Sequence, residues 1–187
     1  MDALKEFIIP IKGLSNSIYR YTFHVKPDFF AHFENTEIEN GFFDVDVVLD
    51  KRPSFFEMTF DIKGKFRTDC DRCTASIELP LLSSQNLTVK MSEEKVEEDA
   101  EIAYIHPDTS HFNVAKYIYE FILLSMPFNR TYECEKENPR PCDMTVLKFL
   151  EKSSESEEKG EEKKKNTGKI NPFDDLKTLF NSEFSEN

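Results

Sequence analysis

The chain has 187 residues, 39% of them hydrophobic, and sets 24 Lys and Arg against 36 Asp and Glu for a net charge of −12. That length suits one main domain with an appendage, and 18 Phe with 6 Tyr provide material for one apolar core. An acidic chain does not draw phosphate over its whole surface, so any RNA contact must be local; a membrane helix is excluded because no stretch reaches the roughly 20 apolar residues it needs.

The first residues, Met1 to Glu6, lack the basic region and apolar run of a signal peptide. The expected compartment is therefore the cytoplasm, where four cysteines are expected as thiols or metal ligands rather than disulfides. Tyr19, Tyr21 and Phe23 alternate with polar neighbours, as do Phe43, Val45, Val47 and Leu49. Period two predicts strands with one buried face. Between them, Asp28 is placed to cap a short helical turn carrying Phe29, Phe30 and Phe33, and Asn40-Gly41 marks a turn. The clearest strand spans 56–68, with Phe56, Met58, Phe60, Ile62, Phe66 and Thr68 on one face and Gly64 among them, a sign of a bulge or close backbone approach. Ala75, Ile77 and Leu79 resume the alternation, so Cys70 to Cys73 form the turn of a hairpin. Pro80 is expected to interrupt it, with a further strand at Leu87, Val89 and Met91.

Residues 92–101 are an acidic run expected as a solvated loop. A helix is predicted over about 111–126, because Phe112, Ala115, Tyr119, Ile122, Leu123 and Met126 recur at helical spacing before Pro127; Asp108 to Ser110 offer caps. A shorter helix, capped by Asp143, carries Val146, Leu147 and Leu150. Residues 1–150 thus form one β-rich domain. Residues 151–169, mostly Lys, Glu, Ser and Gly, are too polar to offset ordering entropy and are expected as a disordered linker. Residues 170–187 contain a short amphipathic helix with Pro172 at its first position and Phe173, Leu176, Leu179 and Phe180 as one stripe. That stripe either docks on a partner or folds back on the body.

Two features bear on chemistry. Lys63, Lys65 and Arg67 alternate with core residues and should face solvent together, with Arg72 in the turn beyond. They form either a phosphate-contacting strip or an ordinary polar strand face that discourages edge pairing. Cys70-x-x-Cys73 can aim two thiolates at one zinc, with Cys134 and Cys142 as the remaining ligands and His106 or His111 as alternatives. A thioredoxin-like role lacks the helix N-terminus that activates the first cysteine. No Gly-rich phosphate loop, Gly-x-Ser-x-Gly elbow or His-Glu-x-x-His helix is present, and His24, His32, His106 and His111 have no motif partners.

Three motifs in order carry a family resemblance. Gly64 to Cys73, ending in Cys70-Asp71-Arg72-Cys73, resembles the Cys-x-Arg-Cys signature of the YceD family. Tyr119 to Pro127 is similar to its Glu-x-Ile/Leu-Leu-Leu-Ser/Ala-Leu-Pro segment, and Asn171 to Leu179 to its terminal Asn-Pro-Phe-x-x-Leu-x-x-Leu motif. The resemblance implies a non-enzymatic role in accumulation or processing of large-subunit ribosomal RNA. Expected partners are precursor RNA or ribosomal proteins, with no membrane and no small-molecule substrate. The expected fold is α+β, a mainly antiparallel, barrel-like sheet with a packed helix. The alternative is a zinc- or thiol-based regulatory binding protein, and a catalytic RNA-processing enzyme lacks the residues it would need.

Overall fold

The computed structural model describes residues 3–34, 38, 40–93, 101–134, 138–150 and 152, and the chain divides into two units, Met1–Cys142 and Asp143–Asn187. In the first unit a 3-10 turn at Ala3–Phe7 leads into β1 (Ile8–Pro10). There follow β2 (Ile18–Val25), α1 (Pro27–Phe30), β3 (Gly41–Lys51), β4 (Phe55–Asp69), β5 (Ser76–Met91), β6 (Ile102–Ile105), β7 (His111–Asn113) and α2 (Ala115–Leu124). β1 and β7 pair antiparallel, and the main sheet runs β2-β3-β4-β5-β6, antiparallel except for β6, which lies parallel to β5.

Alternation decides which face is buried. Phe43, Val45, Val47 and Leu49 of β3 are buried, as are Phe56, Met58, Phe60, Ile62 and Phe66 of β4, and their β5 neighbours Ile77, Leu79, Leu81, Leu87 and Val89. This apolar face is covered by α1, α2 and the N-terminal 3-10 turn through aromatic contacts. Phe121 of α2 meets Phe60 edge-on with centroids 5.1 Å apart, Phe33 stacks on Tyr119 at 4.0 Å, and Phe7 meets Phe29 at 4.7 Å. Such pairs add to the burial of area that drives the packing.

The structure corrects several expectations. The fold is α+β as expected, but the sheet among the described residues is open, with β2 and β6 at its edges. Closure would need the last strand to reach β2; the four-residue β6 instead adds alongside the end of β5. Pro80 does not interrupt β5, which runs on through it opposite Lys65. β6 pairs with β5 only over Thr88–Met91, so Pro80 lies where β5 is an edge and a missing donor is tolerated. The predicted helix at 111–126 starts later. His111–Asn113 pair with Ile8–Pro10, and the helix begins at Ala115, whose N–H donates to Asn113 Oδ1 at 2.9 Å; Asp108 to Ser110 do not cap it. The N-cap of α1 is Lys26, because Pro27 occupies the start of the helix and moves Asp28 into the first turn.

In the second unit residues 144–150 are helical. Asp143 caps them as expected, its Oδ1 accepting the N–H of Thr145 at 2.8 Å and of Val146 at 3.4 Å. These bonds to the ionised form hold its carboxyl below the usual aspartate range. Most of the acidic run, the linker and the terminal stripe of Phe173, Leu176, Leu179 and Phe180 lie outside the described residues.

Candidate nucleic-acid interface

The outer face of the sheet is polar and carries charges of both signs. Register sets the rows: His24, Asp44, Lys63 and Leu82 lie across four strands, and Phe42, Lys65 and Pro80 across the next row. Arg67 follows opposite Glu78. Lys63, Lys65 and Arg67 are all exposed on this face, because successive residues of a strand point to opposite sides and their even-numbered neighbours fill the core. Lys65 Nζ pairs with Glu78 Oε1 at 2.7 Å, both side chains about half exposed, so the pair contributes under about 1 kcal/mol and yields readily to a better anion. Among the described residues Lys63 and Arg67 have no ion-pair partner.

Carboxylates occupy the middle of the same face. Asp46 and Asp61 lie opposite each other and accept hydroxyl protons, Asp46 from Thr22 and Asp61 from Ser84, each at 2.6 Å. Asp44 contacts His24 Nδ1 at 2.7 Å. Toward the other end of β4 the cations alternate with these and further acids, Asp44 opposite Lys63 and Glu78 opposite Arg67.

Arg72 does not join the strip. Its guanidinium donates to Cys134 Sγ at 3.2 Å, turned toward the cysteine loop. That loop is latched to the β4–β5 turn, with Asp71 N–H donating to Arg130 O at 2.9 Å and Arg130 N–H to Asp71 Oδ2 at 2.6 Å. Cys70 and Cys73 are free and buried in the turn. Cys134 and Cys142, expected as thiols or metal ligands, are instead joined as a disulfide with Cα atoms 6.2 Å apart, a separation within the range such a bond spans. Burial raises the Cys70 thiol, but hydrogen bonds from the backbone of Arg72 and Cys73, the Cys73 side chain and the backbone of Tyr132 outweigh it and hold it below the ordinary cysteine value.

Cys134 therefore lies beside the Cys70–Cys73 turn, yet as bonded the four cysteines do not fit a tetrathiolate zinc. Two of the sulfurs are spent on each other, and among the described residues no group of three or more His, Cys, Asp or Glu is placed to hold a metal ion. His106 and His111 are instead engaged at the surface, His106 with Asp108 at 3.6 Å and His111 with Ser110 at 2.8 Å.

The structure adds to this end of the sheet two residues that pattern reading passed over, Phe42 at 56% exposure and Leu82 at 82%. The Phe42-Phe43 pair held the signal, since strand alternation that buries Phe43 must turn Phe42 outward. Among the described residues no helix is long and apolar enough to cross a membrane.

A family model described as large ribosomal RNA subunit accumulation protein YceD matches residues 58–180, more than half of the chain. No curated protein and no solved structure matches it.

Proposed function

The chain belongs to the YceD family, the large ribosomal RNA subunit accumulation proteins, and from that membership we propose that it supports large-subunit assembly in the cytoplasm by binding precursor RNA rather than by catalysis. The observation that carries the proposal is the cation strip: Lys63, Lys65 and Arg67 exposed in alternation on one strand of an acidic protein. Phosphate contacts made this way position a protein on RNA without reading its sequence. Arg72 and the 173–180 stripe belong to the proposal as secondary contacts, the first beside the cysteine loop and the second with a protein partner.

Replacing Lys63, Lys65 and Arg67 together with alanine is expected to abolish co-sedimentation with large-subunit precursors at moderate salt. With purified RNA, the log–log dependence of affinity on salt should flatten by about 2 to 3, three contacts each contributing roughly 0.7 to 0.9. Unchanged sedimentation together with an unchanged slope would refute the strip.

A second role is favoured by the contact of Arg72, between the free Cys70 and Cys73, with Cys134 of the Cys134–Cys142 disulfide. Reduction would free Cys134 beside Cys70 and Cys73, and on this reading the turn acts as a thiol- or zinc-based regulatory element, with Cys142 as fourth ligand. Protein purified under reducing conditions is then expected to carry one zinc per chain, lost in Cys70→Ser. Metal-free reduced protein eliminates the zinc form of this role.

A further inference from the structure

The geometry points to Phe42 as a stacking platform for an unpaired nucleobase, with Lys63, Lys65 and Lys26 receiving the flanking phosphates. This deepens the RNA-binding role proposed above and rests on it.

β2 ends at Val25 and the chain turns away through Lys26 into α1, so the outer face of β3 loses its neighbour at Phe42. The result is a cleft of about 600 Å³ bordered by His24, Lys26, Phe42, Asp44, Lys63 and Lys65. An aromatic ring 56% exposed in such a place contributes little to the fold. Among the described residues no cation lies over the Phe42 ring and no second ring stacks on it; the cation–ring contacts are Lys51 with Phe56 and Lys116 with Tyr117.

The surroundings select the occupant. Phe42 lies directly opposite Lys65, and Lys63 is two residues along on the same face, so positive groups flank the ring on the β4 side. Lys26 borders it on the β2 side, and Asp44, 2.7 Å from His24 Nδ1, adds one carboxylate to the lining. An open ring face among lysines suits a ligand that alternates flat apolar groups with anions. A single-stranded nucleic acid has that character, and base–aromatic stacking tolerates any sequence because every base has a π-face. A duplex keeps its bases stacked internally and could use only the lysines.

The test uses the full-length chain and a short single-stranded oligoribonucleotide carrying 2-aminopurine, with the same sequence as a duplex for comparison. Binding should quench the 2-aminopurine. Phe42→Leu should lower affinity for the single strand by about tenfold, remove the quenching and leave duplex affinity unchanged. Phe42→Tyr should retain both affinity and quenching, which separates loss of stacking from loss of fold. Lys63→Ala should flatten the salt dependence without removing the quenching. Wild-type affinity and quenching in Phe42→Leu overturn the stacking while the cation strip survives, and would assign the exposed ring to a protein contact. If the unaltered chain binds neither strand form, both the platform and the RNA-binding role fall.

Discussion

Phe60→Ala is expected to destabilise the fold by about 3–5 kcal/mol and to lower the melting temperature by roughly 6–20 °C for a chain of this size. Phe60 is fully buried. It pairs with Val47 on β3 and Gln85 on β5, so it sits at the centre of the sheet, where no edge can relax into the space it leaves. It is also where α2 rests, through the edge-on contact with Phe121 at an interplanar angle of 67°. Removing the ring takes away its own burial and one side of that contact. A double-mutant cycle with Phe121→Ala should give a coupling of about 1 kcal/mol, because residues in direct contact fail to add. Strict additivity together with a small melting shift would mean that α2 is not seated on Phe60.

Gly64→Val is the second large effect, of about 3 kcal/mol and a melting shift of roughly 6–12 °C. Gly64 pairs with Phe43 on one side and Leu81 on the other, with no break in register, so the sequence sign of a bulge or close approach resolves as a close approach. A Cβ at this position would collide with the carbonyl oxygen of Phe42 and approach Phe43 Cα to 2.7 Å and its ring to 2.5 Å. Two of these atoms are backbone in a paired strand and cannot swing aside. The substitution would push β3 from β4 between Lys63 and Lys65, so RNA affinity should fall along with stability. Gly64→Val melting within about 1 °C of the unaltered protein would show that the strands tolerate a side chain there.

Cys70 differs from these packing positions because its thiol is held low by hydrogen bonds. Those bonds favour the thiolate form over the thiol at this turn.

Much of the candidate interface was legible in the chain itself. The run from Phe56 to Thr68 alternates without a fault, and a period of two leaves one geometric outcome: Lys63, Lys65 and Arg67 on the face opposite Phe60 and Ile62. Asp143 as a helix cap was legible for a similar reason, since a cap is made by bonds to residues two and three further on. Short pairings left no such mark. β1, β6 and β7 have only three or four residues each, too few for periodicity, so Phe112 passed for the first residue of a helical stripe.

Local pattern thus determined β3 and β4, the buried face of each and the outward row of cations, because a strand's side-chain alternation depends only on its own backbone, whereas the continuity of β5 through Pro80 depended on its neighbours. Tertiary structure alone decided that the sheet among the described residues stays open and that Arg72 turns to Cys134 instead of the strip. It also joined Cys134 to Cys142 and left Phe42 uncovered where β2 departs. Each of these depends on which distant segment arrives beside a residue, and that is settled by packing across the whole sheet rather than by the neighbours in the chain.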